Sequence, residues 1–161
     1  MNKRFLILLI FTLAIISGCE KDDICLLPTT PKLILRFYDK ANPTTLKSVE
    51  SLSIWAEGKD TISKYRSVVL DSVAIPLNVN TTQTVYHLKA NFVDGNMANN
   101  TSNTITINYN TIDKYVSRSC GFQTIFNSVT ISSNNGWIQS FTPNSLTTIN
   151  NEASAHVQIF H

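Results

Sequence analysis

Apolar and polar residues alternate along several segments of this chain of 161 residues. In residues 84–93, one face carries Tyr86, Leu88, Ala90 and Phe92, and the other carries Val85, His87, Lys89 and Asn91. A period of two is typical of a β-strand with one buried face. The same alternation predicts strands at 32–39, with Leu33, Leu35 and Phe37 inward, at 104–110, with Ile105, Ile107 and Tyr109 inward, and at 155–161, with Ala155, Val157 and Ile159 inward.

Four further segments predict strands, and no segment shows a sustained helical period. They are residues 51–57, 65–77, 114–122 and 126–132. Turn-forming residues separate the predicted strands, at Asn42-Pro43, Glu57–Asp60, Asp94–Asn96 and Asn134–Gly136. Short strands at this spacing predict an all-β protein: a single antiparallel β-sandwich of about seven to nine strands, immunoglobulin-like in the broad sense, with a small β-barrel as the alternative.

The start of the chain has the order of a secretory signal in residues 1–18. Basic residues precede the apolar run Phe5–Ile16, and small residues come just before Cys19. The apolar run is shorter than the ~20 residues of a membrane-spanning helix. Residues 16–19 resemble the bacterial lipobox, which implies cleavage before Cys19 and attachment of diacylglycerol to its sulfur. A cleaved signal without lipid is the alternative.

A charged stretch, Glu20–Asp23, follows the predicted lipidation site. It is either a solvated spacer or a localisation signal. Lys21, Asp22 and Asp23 resemble the signal that directs lipoproteins of the Bacteroidota to the cell surface. This resemblance implies an outer-membrane protein that is lipid-anchored at the cell surface, with the periplasmic leaflet as the alternative.

Removal of the signal leaves a tether and extended lead-in at residues 19–31 and one domain at residues 32–161. The 13 basic residues of the chain include Lys3 and Arg4 of the signal, and without those two they equal the 11 acidic residues. The mature chain therefore has no formal net charge and no Lys/Arg-rich run. We expect no nucleic-acid partner, since such binding needs a basic surface.

Two cysteines remain once Cys19 is assigned to the lipid. Cys25 and Cys120 form an even pair in an exported, oxidising setting, which favours a disulfide between them. The alternative is a nucleophilic Cys120, but such a thiol needs a neighbouring base and no motif places one. If Cys25 is held by the domain, the six residue steps back to Cys19 span at most about 20 Å. The domain would then lie close to the membrane.

The sequence carries none of the common catalytic motifs of hydrolases, zinc proteases or phosphate-binding loops. We therefore expect no enzymatic activity, no cofactor and no metal, with a hydrolase as the enzymatic alternative. His156 and His161 would face opposite sides of a strand, and His87 lies on a polar face. Trp137, which follows the turn Asn134–Gly136, is a candidate ligand contact at an exposed loop tip.

Two short segments carry candidate modification sites. Asp60-Thr61-Ile62 and Asp71-Ser72-Val73 resemble the O-glycosylation pattern of exported Bacteroidota proteins. This resemblance makes Thr61 and Ser72 candidate glycosylation sites.

Four segments together resemble a family of small Bacteroidota lipoproteins of unknown function. They are CEKDDIC at 19–25, TTPKLILRFYD at 29–39, YVSRSCGF at 115–122 and EASAHVQIF at 152–160. The resemblance implies a lipid anchor and supports Cys25 and Cys120 as paired features, and it brings no catalytic residues. We expect a non-catalytic, surface-exposed binding or accessory module whose partner is an outer-membrane protein or a glycan. The alternative is a structural subunit of an envelope complex.

Overall fold

The computed structural model describes residue 25, residues 30–91 and residues 100–161. The predicted signal at 1–18, the lipidation site Cys19, the export signal Lys21–Asp23 and the predicted turn Asp94–Asn96 lie outside the described residues, as does Phe92.

The described residues are almost entirely extended, as the alternation predicts. They form ten strands: β1 Leu33–Tyr38, β2 Val49–Ala56, β3 Val68–Leu70, β4 Ser72–Ile75, β5 Gln83–Ala90, β6 Thr101–Ser117, β7 Gly121–Ser133, β8 Ser140–Thr142, β9 Ser145–Ile149 and β10 Val157–Phe160. A 3₁₀ turn at Ser63–Tyr65 precedes β3.

The strands form two sheets that pack face to face. One has the order β4-β1-β10-β8, and the other has the order β3-β2-β5-β6-β7-β9. Strands β1 and β10 are parallel, and the remaining pairs are antiparallel. The sheets do not close into a barrel, so the predicted β-sandwich is confirmed.

The core lies between the sheets and contains the predicted inward faces. Leu33, Leu35 and Phe37 of β1 are fully buried, and they belong to one cluster with the inward residues of β5 and β6. Burial of each large apolar side chain stabilises the fold by about 1.5–3 kcal/mol, so the alternating segments drive the packing of the sheets. Only Ala155, which precedes β10, is partly exposed among the predicted inward residues that the structure describes.

Two predicted strands differ from the structure. Residues 65–77 divide into β3, on the six-stranded sheet, and β4, on the four-stranded sheet, so the chain changes sheets at Asp71. The prediction of one strand at 114–122 is wrong, because this segment contains the turn of the β6–β7 hairpin. Gly121 at φ +66° and a hydrogen bond from Cys120 N to Ser117 Oγ (3.1 Å) close that turn.

The β6–β7 hairpin extends beyond the strands on either side of it. Strand β5 pairs with β6 only as far as Asn108, and β9 pairs with β7 only from Phe126 onward. Ser128, at φ +52°, lies where the hairpin register shifts, as in a β-bulge. We call residues 111–125, which lie beyond both neighbouring strands, the hairpin arm.

Candidate functional site

A disulfide closes the end of the hairpin arm. Cys25 and Cys120 are bonded through their sulfurs, and their Cα atoms are 4.9 Å apart. This is the pairing that the sequence predicts. The bond occupies the sulfur of Cys120, so that residue has no free thiol for the nucleophilic alternative. The segment that precedes the domain is thereby joined to the end of the arm.

A second group of side chains lies on the outer face of the six-stranded sheet. Trp55, His87 and Thr104 occupy facing positions on β2, β5 and β6. The rings of Trp55 and His87 stack with centroids 5.3 Å apart and an interplanar angle of 23°. His87 Nδ1 lies 3.1 Å from Thr104 Oγ1, and its Nε2 contacts the Glu57 carboxylate. His87 is therefore on the predicted polar face, and it contacts three side chains there.

A depression of about 260 Å³ adjoins this row of side chains, and we call it the Trp55 depression. It is lined by Ser53, Trp55, Lys59, Asp60, Thr61, Arg66 and Lys89. Lys89 Nζ is 5.8 Å from the centroid of the Trp55 ring. Three cationic side chains and one carboxylate give the depression a net positive charge, which suits a ligand with negative charge.

A larger depression of about 520 Å³ lies between the turn after β2 and the segment before β5. Buried tyrosines hold that segment in place, since Tyr86 and Tyr109 donate to the carbonyl oxygens of Pro76 and Asn78. Desolvation by burial, with Tyr109 and Tyr65 nearby, raises the pKa of Tyr86 to about 12. Tyr86 therefore remains neutral at ordinary pH, and both hydroxyl groups serve the structure. The Trp55 depression is the better candidate site, because it combines an indole ring with three cationic side chains, whereas the tyrosine of the larger depression is held by the structure.

Trp137 does not lie at an exposed loop tip. Its Nε1 donates to Leu88 O at 3.1 Å, and its ring lies near those of Phe37 and His161 at 5.9 and 5.3 Å. The side chain packs against the core and uses its only hydrogen-bond donor internally. Its role as a ligand contact stays a prediction.

The two C-terminal histidines have structural contacts with the backbone. His156 Nδ1 accepts from Ile34 N at 2.9 Å, and His161 Nε2 lies 3.2 Å from Lys47 O. Desolvation by burial lowers the pKa of both imidazoles. The described residues contain no group of three or more His, Cys, Asp or Glu side chains that could hold a metal ion.

The two candidate glycosylation sites lie in different surroundings. Thr61 is partly exposed and lines the Trp55 depression, where its backbone pairs with that of Trp55. Ser72 lies on β4, and its Oγ donates to Leu35 O at 3.3 Å. Glycosylation at either site stays a prediction. Within the described ranges no helix has the length and apolar character needed to cross a bilayer.

Sequence reasoning missed the Trp55 depression, although the pattern contained part of the signal. Alternation places Trp55 opposite the buried Leu52 and Ile54, and it places His87 and Lys89 on the polar face of β5. Only the pairing of β2 with β5 brings these faces together. Arg66 and Lys59 come from connecting segments, so no strand pattern could have placed them.

The fold and the site define a disulfide-bonded β-sandwich with a charged, aromatic depression on one face. Residues 51–161 match the model of a family of unknown function (DUF6452), and the chain belongs to this family. The matched region begins within β2 and continues to the last residue. It includes Cys120, whereas Cys25 and β1 lie before it. No curated protein and no solved structure matches the chain.

Proposed function

We propose that this protein is a lipid-anchored, non-catalytic binding module of the Bacteroidota cell envelope, and that it binds an anionic glycan in the Trp55 depression. The observation that carries the proposal is that Lys59, Arg66 and Lys89 line one depression together with Trp55. The partly exposed ring offers an apolar surface to a sugar, and the cations offer partners to its carboxylates. Arginine binds a carboxylate through two parallel hydrogen bonds, which gives both affinity and orientation.

The lipid anchor is the second part of the proposal. The lipobox-like order before Cys19 supports it, and the disulfide of Cys25 joins the adjoining segment to the domain. Multiple acyl chains give stable attachment at ~0.8 kcal/mol per buried CH₂, where one chain gives only marginal binding. Such a protein would display its binding face close to the membrane surface.

Glycan binding is tested by titrating the mature protein with polygalacturonate and, separately, with uncharged dextran. Trp137→Phe leaves Trp55 as the reporter, and its fluorescence should change with the uronate polymer and not with dextran. Arg66→Ala should weaken binding at least about tenfold, because a hydrogen bond to a charged group contributes ~1.5–3 kcal/mol. Lys40→Ala is the control, since Lys40 is exposed and its Nζ bonds Ser140 of the other sheet. Equal binding of the two polymers, or an unchanged affinity of Arg66→Ala, would contradict the proposal.

The anchor is tested by fractionation of cells that express the full chain. Cys19→Ala should move the protein from the membrane fraction to the soluble fraction, while Ser17→Ala in the preceding signal should leave it in the membrane fraction. Membrane retention of Cys19→Ala would contradict the lipid attachment.

A further inference from the structure

The end of the hairpin arm carries exposed apolar side chains. Tyr115 and Phe122 are 55% and 65% exposed, and they face each other across the two strands with ring centroids 5.5 Å apart. Ile112 is 48% exposed. Side chains alternate along a strand, so Ile112 projects from the face opposite to Tyr115. The aromatic pair therefore lies near the turn of the arm, and Ile112 lies on the other face, nearer its base.

An exposed aromatic pair near the turn of a ribbon can enter an apolar medium end-on. Entry of the turn buries the rings of Tyr115 and Phe122 and does not require a flat apolar surface along the whole arm. The amphipathic ring of tyrosine is enriched where such a medium meets water, as in the interfacial region of a bilayer.

The disulfide indicates which medium the arm can reach. Cys25 is bonded to Cys120, which lies beside Phe122 at the end of the arm. The six residue steps from Cys25 back to Cys19 span at most about 20 Å. The aromatic pair is thus in the part of the domain that is held closest to the proposed lipid anchor.

The charged residues of the arm are consistent with the same surroundings. Lys114 and Arg118 are exposed on either side of Tyr115, where they can meet lipid phosphates. The neighbouring carboxylate of Asp113 accepts from Thr124 Oγ1 at 2.7 Å, so it is partnered within the arm. Basic residues next to aromatic side chains are typical of the membrane interface.

We propose that the end of the hairpin arm inserts Tyr115 and Phe122 into the interfacial region of the phospholipid bilayer that holds the anchor. The inference rests on the proposed function, because the bilayer that the arm enters is the one that holds the proposed lipid on Cys19. The lipid and the arm then form two neighbouring points of attachment. Their joint effect is to fix the orientation of the sandwich on the membrane, which a single point of attachment would leave free.

The experiment replaces the acyl anchor, so that it does not depend on the lipidation of Cys19. A disulfide-intact chain that begins at residue 20 and carries an N-terminal polyhistidine tag is held on vesicles of phosphatidylcholine and phosphatidylglycerol with a small fraction of nickel-chelating lipid. Brominated acyl chains act as the quencher. Phe122→Trp places a fluorophore at the end of the arm, on an exposed side chain whose replacement leaves the core intact.

Leu46→Trp is the matched control. Leu46 is 47% exposed and precedes β2, at the end of the sheet where Asn91 N donates to Glu50 O. The arm leaves the opposite end, beyond Gln83 and Asn108. Trp55 and Trp137 give the same background in both variants, and the unsubstituted chain measures that background.

The brominated lipid should quench the added fluorescence of Phe122→Trp about twofold and leave that of Leu46→Trp unchanged. Equal quenching at the two positions, or none at Phe122, would overturn the inference, and the second result would instead favour a protein partner for the arm. Because the tag supplies the attachment, a failure of lipidation at Cys19 does not affect this outcome. A failure of glycan binding appears only in the polygalacturonate titration.

Discussion

Cys25 and Cys120 are separated by 95 residues in the sequence, and the disulfide holds their Cα atoms 4.9 Å apart. The bond joins the segment before β1 to the end of an arm that, among the strands of the described residues, has no third strand beside it beyond residues 108 and 126. A two-stranded ribbon is marginally stable by itself in water. The disulfide therefore stabilises the arm as well as fixing the position of the tether.

Loss of either cysteine should destabilise the protein by a similar amount. Closing a loop of this length stabilises the fold by up to about 4–5 kcal/mol in the chain-entropy description. Cys25→Ser and Cys120→Ser should each lower the free energy of unfolding, and the double variant should be no less stable than either. Denaturant unfolding without reductant measures the change, and the reduced unsubstituted protein is the control. An unchanged stability of Cys120→Ser would contradict a structural role for the bond.

Asn103 should be the most costly polar side chain to remove from β6. It is fully buried, its Nδ2 donates to Asn134 O at 2.7 Å, and its Oδ1 accepts from Ile138 N at 2.9 Å. Asn103→Ala removes the acceptor of the buried Ile138 N and one of the donors to Asn134 O, and it should lower the free energy of unfolding by about 1–3 kcal/mol. Asn108→Ala is the control on the same strand, since Asn108 is exposed and bonds only the Gln83 side chain among the contacts described. Equal losses for the two variants would contradict this account.

Alternation in the sequence was sufficient to predict most strands, because one-sided burial imposes a period of two on β1, β5 and β6. Alternation could not predict the role of Asn103, because its side chain bonds the segment that follows β7, and that contact forms only in the folded chain. Gly136 in that segment lies so close that an added Cβ would be 2.3 Å from Asn103 Oδ1. The turn signal at Asn134–Gly136 was visible in the sequence, whereas its contact with β6 arises only in the folded chain.

The hairpin arm was hidden for a related reason. The segment at 114–122 has the residue types of a strand on both sides of its turn, and only Gly121 marks the reversal. Pairing of β1 with β10 in parallel joins residues near the two ends of the described domain, and such long-range pairing has no local signal. The sequence alone could place the cysteines together, because counting them requires no knowledge of topology.

Acid should destabilise the protein partly through His156. Burial lowers the pKa of this imidazole below 6.5 in the folded state, against the weaker opposing effects of a backbone hydrogen bond and Glu152. The unfolded chain therefore takes up the proton first as the pH falls. The contribution of His156 to stability is present above about pH 6.5 and is lost as the pH falls from there to the folded pKa.

The variant His156→Asn separates this effect from general acid unfolding. The Asn Oδ1 can accept from Ile34 N as His156 Nδ1 does, but the side chain does not titrate. The melting temperature of the variant should fall less steeply between pH 6.5 and pH 5 than that of the unsubstituted protein, with His161 contributing the remaining histidine dependence in the same direction. Parallel pH profiles for the two proteins would contradict the assignment to His156.

The charged stretch after Cys19 should determine which side of the outer membrane displays the domain. Brief protease treatment of intact cells, followed by mass spectrometry, should release peptides from the domain without release of periplasmic proteins. Replacement of Lys21, Asp22 and Asp23 by alanine should protect the domain from protease until the outer membrane is broken, and Glu20→Ala should not. Protection of the unsubstituted protein would instead indicate that these charges are a spacer. The glycan partner would then be sought in the periplasm, since a domain whose Cys25 is held within about 20 Å of its anchor cannot reach across the membrane.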